Sequence, residues 1–499
     1  MAEANRPVLV GVAQLIQRDV DPADSLSPLA MLENVARGAA ADAGVGDAVL
    51  AACDRVAVID VAAWRCTNPP GALAERLGAN PAHLYSTGIG GEVPLVVVNR
   101  IAHEIAFGEA GIALIAGANN LKSLRGLLEQ GVKPDWNVEV AGEPTLISDR
   151  KLGSSEVEAQ YGLDSPPTIY PIFENALRAH RGLDLESHRQ RVGALLSRFT
   201  EVASKNPYAW FPIARSADEI TRPAATNRMI AFPYTKYMNA ILDTDQAAGV
   251  LMMSAEKARE LGVPEDRQVH WWGGAHAQER AWYASQRPSF AASAALRAAA
   301  GTALERAGVT LDGIDLFDFY SCFPVAVEMA CEMLGLDESD PRGQTLTGGL
   351  PYGGGPGNNY TLHSLATAVT RLREGAGKTA FVTGNGWYLT KHAGTVLATT
   401  PREAPLMEPA PVALPQEPDA VPLLDAAEGD ATIETYTVLY GRDGGPERGI
   451  VIGCLDAGGR FLANTPADRA LLEDLVAVEN VGRRGRVRVI DGANCFEPT

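Results

Sequence analysis

Two segments of the chain repeat one another. RIAHEIAFGEAGIALIAGAN (100–119) and AVTRLREGAGKTAFVTGNG (368–386) each carry a helix-forming run, a glycine, an apolar strand and a second glycine nine positions on, Gly108 to Gly117 and Gly375 to Gly384. A second pair, LENVARGAAADAGV (32–45) and LRAAAGTALERAGV (296–309), leads into apolar strand candidates at Val56 and Leu316. Glycine after a helical period is a stop signal, and strands without charge on either face suit a sheet covered on both sides. Helix–strand units that recur in one order predict two similar α/β halves.

The remaining segments have a different texture. The first half opens with a strand candidate at Val8–Val12, a helix from about Ser27 to Ala43 and a strand at 55–62; the strand at 247–253 and a helix closing at Gly262 return to it. Residues 120–229, rich in Arg, Asn, Pro and Trp with helical period near 183–202, read as an inserted loop domain. Residues 401–422 hold seven prolines, which suit neither helix nor sheet interior, and form a linker. Beyond it, short alternating strands such as ATIETYTVLYG and RGIVIGCLD predict a small β-barrel of the oligonucleotide/oligosaccharide-binding (OB) type. The expected layout is 1–119 with 230–276 as the first half, 120–229 as the insertion, 277–400 as the second half, 401–422 as the linker and 423–499 as the barrel.

Composition removes several functions. Lys plus Arg against Asp plus Glu gives 43 − 61 = −18, a field that repels nucleic acid and anionic membrane surfaces. No leader and no membrane-spanning run is visible, and six cysteines lack any C-x-x-C pair, so the expectation is a cytoplasmic protein with reduced thiols and no metal. EGAGKT (374–379) resembles a phosphate loop, but Leu372 stands where its first glycine belongs.

Three features are left as candidate chemistry. GGLPYGGGPGNNY (348–360) is a glycine-dense loop through which backbone can approach a ligand closely. Cys322, in DLFDFYSCFPVA, falls just before an apolar helix whose N-terminal dipole can lower a thiol pKa. His363, in NNYTLHSLATAV, is placed as a possible base, although a packed or solvated histidine and a buried, inert cysteine are the simpler readings.

These pieces in this order resemble the thiolase superfamily over roughly residues 6 to 400. Residues 98–119 are similar to its helix–IxxG–strand–AGG segment, DTDQAAGVLMMSAEKARELG to its GAAA strand and helix, GGLPYGGGPGN to its GGAIAxGHPxG loop, and YSCF (320–323) to the HDCF box of sterol-carrier-type members, with Cys322 and Phe323 matching. The resemblance implies a five-layered α/β/α/β/α core. It also implies acyltransfer between acyl-CoA thioesters through a cysteine thiolate, a second cysteine, and donors for an enolate or oxyanion. Coenzyme A or acyl-CoA is the implied ligand, with no bound cofactor.

Carried over position by position, however, the nucleophilic cysteine falls on Gly91, the first box's Asn or His on Tyr320, the loop histidine on Gly355 and the second cysteine on Val382. Missing chemistry together with an added C-terminal domain resembles the thiolase-like type 1 proteins. The leading expectation is thioester handling without ordinary turnover. The alternatives are acyltransfer through Cys322 with His363, with Ser86 or Thr87 as substitutes, and a non-catalytic scaffold for another thiolase-like subunit. Arg125, Arg150 and the arginines of GRRGRVRV (Arg483, Arg484, Arg486, Arg488) are possible phosphate contacts; the last four equally suit an edge strand guarded against aggregation. Thiolases pair the strand leading to the cysteine, and three glycines within Leu84–Gly91 weaken it, so the expectation leans to a monomer over a homodimer.

Overall fold

A computed structural model describes residues 3–403, 410–414 and 420–499; the parts of the linker at 404–409 and 415–419 lie outside the described residues. The core strands are β1 (Pro7–Ile16), β2 (Arg55–Val58), β3 (His83–Thr87), β4 (Ile112–Asn120), β5 (Thr145–Ile147), β6 (Asp245–Ser254), β7 (Val269–Gln278), β8 (Leu316–Asp318), β9 (Thr379–Gly386) and β10 (Lys391–Ala398). The helices used below are α1 (Pro28–Asp42), α2 (Pro69–Leu77), α3 (Val93–Ala106), α4 (Pro166–His180), α5 (Leu185–Ala203), α6 (Ala294–Ala307), α7 (Pro324–Leu334) and α8 (Tyr360–Arg373).

The two halves repeat strand by strand. In the first, β2 is parallel to β4, β4 antiparallel to β6 and β6 antiparallel to β1; in the second, β8 is parallel to β9, β9 antiparallel to β10 and β10 antiparallel to β7. The second repeat therefore opens at residue 269, ahead of the expected 277. An equivalent carboxylate braces each half: Asp54 accepts from the N–H groups of Gly111 (2.7 Å) and Ile112 (3.2 Å), Asp315 from those of Lys378 (2.6 Å) and Thr379 (3.2 Å). The half-sheets meet where β1 and β7 pair at Val8–His270 and Leu9–Val269.

Strand alternation distributes the core into layers. Along β4, Ile112, Leu114 and Ala116 face α1 and α2, while Ala113 and Ile115 face α3 and α8. The opposite side of α3 and α8 packs on β7, β9 and β10, beyond which Phe317, Phe381 and Val396 meet α6 and α7. The order is helix, sheet, helix, sheet, helix, the five-layered thiolase arrangement.

The insertion contributes α4 and α5 and also β5, which lies parallel to β3 and covers its free edge, Tyr85 opposite Thr145 through Thr87 opposite Ile147. The three glycines expected to weaken this strand follow its last residue instead.

At the C-terminus, β11 (Gly429–Tyr440), β12 (Pro446–Leu455), β13 (Arg460–Asn464), β14 (Arg484–Ile490) and β15 (Ala493–Pro498) close into a barrel in the order β11–β12–β13–β15–β14–β11. β14 is paired on both sides, so its arginines do not guard an edge. They stand beside Asp456 (Arg484), Asp430 (Arg486, 3.5 Å) and Glu497 (Arg488, 4.0 Å), with Arg483 beside Asp474 (2.5 Å). The barrel seats on α4, where Asn175 donates to the Tyr436 carbonyl at 2.9 Å and Arg178 pairs with Glu479. No helix among the described residues is long and apolar enough to cross a membrane.

Buried Arg460 locks this junction, pairing with Glu434 at 2.6 Å and donating to the carbonyls of Ser285 (3.2 Å) and Arg287 (2.6 Å). Arg460→Met leaves both carbonyls unpaired and is expected to cost about 2–3 kcal/mol. A shift of the urea-unfolding midpoint measures it, and an unchanged midpoint contradicts this account of the junction.

Candidate functional site

The glycine-dense loop begins on a buried carboxylate. Asp318, the last residue of β8, accepts from the N–H groups of Leu346 (2.7 Å) and Thr347 (3.2 Å) and from the Ser364 hydroxyl (2.7 Å), while burial pushes its pKa up against these donors. From there the loop runs inward: residues 347–356 are buried, which excludes a plain surface turn. Its glycines serve close packing. A Cβ on Gly354, where φ is +106°, would lie 2.1 Å from Gln246 Oε1, and one on Gly355 would lie 2.9 Å from the Ile241 carbonyl. Gly355 N–H donates to that same carbonyl, so the position to which the resemblance carries a histidine makes a close backbone contact.

The loop ends where α3 and α8 start. Asn358 accepts from Gly90 N–H at 2.9 Å, and the Thr361 hydroxyl donates to the Gly91 carbonyl at 2.9 Å. Gly91, the position to which the resemblance carries the nucleophile, is therefore held at the buried N-terminus of α3. A side chain could stand there only if Tyr320 moved: an added Cβ would lie 2.3 Å from Tyr320 Oη and 2.4–2.5 Å from its ring carbons. Tyr320 is in turn fixed through its N–H to Thr383 Oγ1 (3.1 Å) and edge-on against Tyr360 (5.5 Å between centroids). Burial drives its phenol well above the ordinary value, with Cys322, Tyr360 and Glu92 adding to the effect.

Cys322 lies beside Tyr320, just before the N-cap residue Phe323 of α7. The helix terminus is as expected, but its dipole does not prevail: burial pushes the thiol up to about 12. Its neighbours are Tyr170 and Asn385; Asn385 Nδ2 donates to the Tyr170 hydroxyl (2.7 Å) and lies 3.9 Å from the sulfur. His363 occupies the first turn of α8, with Nδ1 2.9 Å from Gln14 Oε1, and burial pulls its pKa down to about 3. Cys322 and His363 share no hydrogen-bond partner, and the structure does not assemble them into a dyad. Val382 is buried within β9, packed into the central layer between Asp318 and Thr395.

Ser86 and Thr87 end β3 and line a separate cleft of about 490 Å³ with Asp60, Trp64, Cys66 and Arg150. Thr87 Oγ1 is engaged by Asp60 N–H (2.9 Å), and Arg150 approaches Asp60 at 3.7 Å. Arg125 pairs with Asp243 on the surface.

The sequence reading missed Glu92 and Lys391. Directly after Gly91, Glu92 turns a buried carboxylate to Lys391 Nζ (3.0 Å), and that ammonium also lies 3.3 Å from Ser148 Oγ. Burial raises the Glu92 pKa while Lys391 opposes it. Gly90 and Gly386 flank the same carboxylate, since a Cβ on either would fall about 2.0 or 1.9 Å from Oε2. A glutamate flanked by glycine, with its lysine some 300 residues away, gives no local signal. Both line a second cleft, of about 1060 Å³, running along α3 to Phe107.

Comparison with known proteins places these features in a family. A family model described as the thiolase-like protein type 1 additional C-terminal domain matches residues 410–492. The crystal structure of a monomeric SCP2-thiolase-like protein type 1 from Mycobacterium smegmatis is 34% identical, with 100% of each chain covered and a TM-score of 0.82. The Ltp2-ChsH2(DUF35) aldolase is similar at 17% identity over 80% of this chain and 98% of that one, TM-score 0.58. Acetyl-CoA acetyltransferase from Syntrophomonas wolfei is similar at 16% identity over 79% and 99%, TM-score 0.54. These last two show the fold alone. No curated protein matches the chain.

Two outcomes follow from the packing. Gly91→Cys is expected to destabilise by about 1–3 kcal/mol through overlap with Tyr320, and combining it with Tyr320→Asn should cost less than the sum of the two single changes; urea midpoints of the four proteins test this, and strict additivity refutes the overlap. Because the raised pKa keeps Cys322 a neutral thiol at pH 8, iodoacetamide should leave it unmodified in the folded protein by peptide mass mapping. Rapid alkylation there would show an activated thiolate.

Proposed function

Because the chain belongs to the SCP2-thiolase-like protein type 1 family, we propose that it binds acyl-CoA or a related thioester and does not carry out ordinary thiolase turnover. The observation that carries this reading is Tyr320 standing over Gly91, in the space a nucleophilic side chain would need. Covalent acyltransfer requires a group that can take the acyl chain, and glycine offers none. Space for a thioester remains outside the filled pocket, in the cleft of about 1060 Å³ that Glu92 and Lys391 line.

The rival, acyltransfer through Cys322 and His363, asks for a thiolate and a base near neutral pH. A thiol held near 12 and an imidazole near 3, turned to different partners, speak against it. The scaffold reading is weakened by β5, which already occupies the β3 edge, and by the barrel, which is seated on its own chain. The relative from Mycobacterium smegmatis is described as monomeric, and we propose the same state here.

Calorimetry with acetoacetyl-CoA and with CoA, beside an assay of thioester loss, separates the readings. Binding without turnover, unchanged in Cys322→Ala, is the expected result. Turnover abolished by Cys322→Ala would install the acyltransfer reading, and no binding of either compound would remove the thioester assignment. Light scattering after size exclusion should give the mass of one chain; twice that mass contradicts the monomer.

A further inference from the structure

We propose that Glu174 on α4, His188 on α5 and Glu328 on α7 form a site for one divalent first-row metal ion, zinc foremost, at the junction of the insertion with the second half. The donor atoms of the three all lie within 4.8 Å of one another, and no other group of three such donors does so among the described residues. All three side chains are buried.

The geometry resembles a ligand set with its supporting contacts. His188 Nε2 hydrogen-bonds with Glu174 Oε1 at 2.6 Å, a contact that a bound ion would replace, and the Tyr234 hydroxyl donates to the other oxygen of Glu174, the kind of outer contact that orients a ligating carboxylate. Glu328 Oε2 has no hydrogen-bond partner although its residue is fully buried. With Glu174 beside it, this buried carboxyl group is costly unless a proton shared between the two or a cation lies there.

Charge counting points the same way. Arg181 contacts Glu328, Glu332 and Glu338 at 3.0 Å each, and Arg191 contacts Glu338 at 2.7 Å. With Glu174 the network holds four carboxyl groups against two guanidinium groups; were all four ionised, one divalent cation would cancel the difference of 4 − 2 = 2 charges. Two carboxylates and one imidazole suit zinc, manganese or ferrous iron. Enclosure by three helices gives the ion a structural task, binding the insertion to α7, rather than an exposed catalytic one. The residues are 14 and 140 positions apart, which hides the set from any spacing motif.

The test uses full-length protein made without a histidine tag, stripped with EDTA, re-equilibrated with zinc and desalted before elemental analysis. About one zinc per chain, with a melting temperature higher than that of the stripped protein, is expected, and Glu328→Gln and His188→Asn should each lower retention at least tenfold while keeping the wild-type circular dichroism. If either variant fails to fold, cobalt added to the stripped wild type decides: visible d–d absorption of a low-coordinate ion supports the site, and its absence overturns it. Zinc below a tenth of an equivalent, or equal retention in the variants, also overturns the proposal. So does a folded Glu328→Gln as stable as wild type with no zinc response in either, because shared protons would then be meeting the charge deficit.

Discussion

Two helices, α3 and α8, are buried between the half-sheets with their N-termini side by side, and the structure around them is shaped by that convergence. Each terminus leaves backbone N–H groups without intrahelical partners and concentrates partial positive charge where water is scarce. Asn358 takes the Gly90 N–H, Thr361 ties the Gly91 carbonyl, and the Glu92 carboxylate rests at the first terminus against Lys391. A fold of this kind provides a pocket of donors whether or not chemistry occurs there.

In this chain the pocket is filled by packing. Tyr320 enters from the end of β8 and covers Gly91; Tyr170 and Phe323 stack behind it at 4.4 Å, and Cys322 lies among them. Aromatic rings this close exclude water, and the same exclusion that stabilises them drives thiol and phenol pKa values upward. Activation of Cys322 and the aromatic packing around it are therefore opposed: lowering the thiol pKa would need solvent or positive charge where rings now stand.

Much of the fold was legible because its rules are local. Glycine nine positions from glycine, each time between a helix and an apolar strand, marked α3–β4 and α8–β9, and these proved to be equivalent elements of the two repeats. The thin signal at β5 escaped notice, since three residues carry no periodicity and the strand exists only because β3 offers an edge. At the site, the resemblance located Gly91 and Tyr320 but could not show that one covers the other, for 229 positions separate them and only tertiary structure makes them neighbours. The dipole argument for Cys322 found the correct helix end and failed on burial, a quantity no short segment contains.

The barrel shows how an added domain becomes inseparable from its host. The short hairpin at 229–235, where the insertion gives way to the first half, extends the barrel sheet where Ala231 pairs with Leu439. From the other side, Arg460 reaches back to carbonyls at 285 and 287, next to Arg287, whose own guanidinium donates to the Leu389 carbonyl at 2.9 Å in the second half. A chain of charge-assisted contacts therefore runs from barrel to core. Such a domain is placed to hold the insertion against the core, and with it α4, which supplies Tyr170 to the filled pocket and Glu174 to the buried carboxylate cluster. Loss of barrel contacts should thus be felt at α4, an element that barrel, pocket and cluster share.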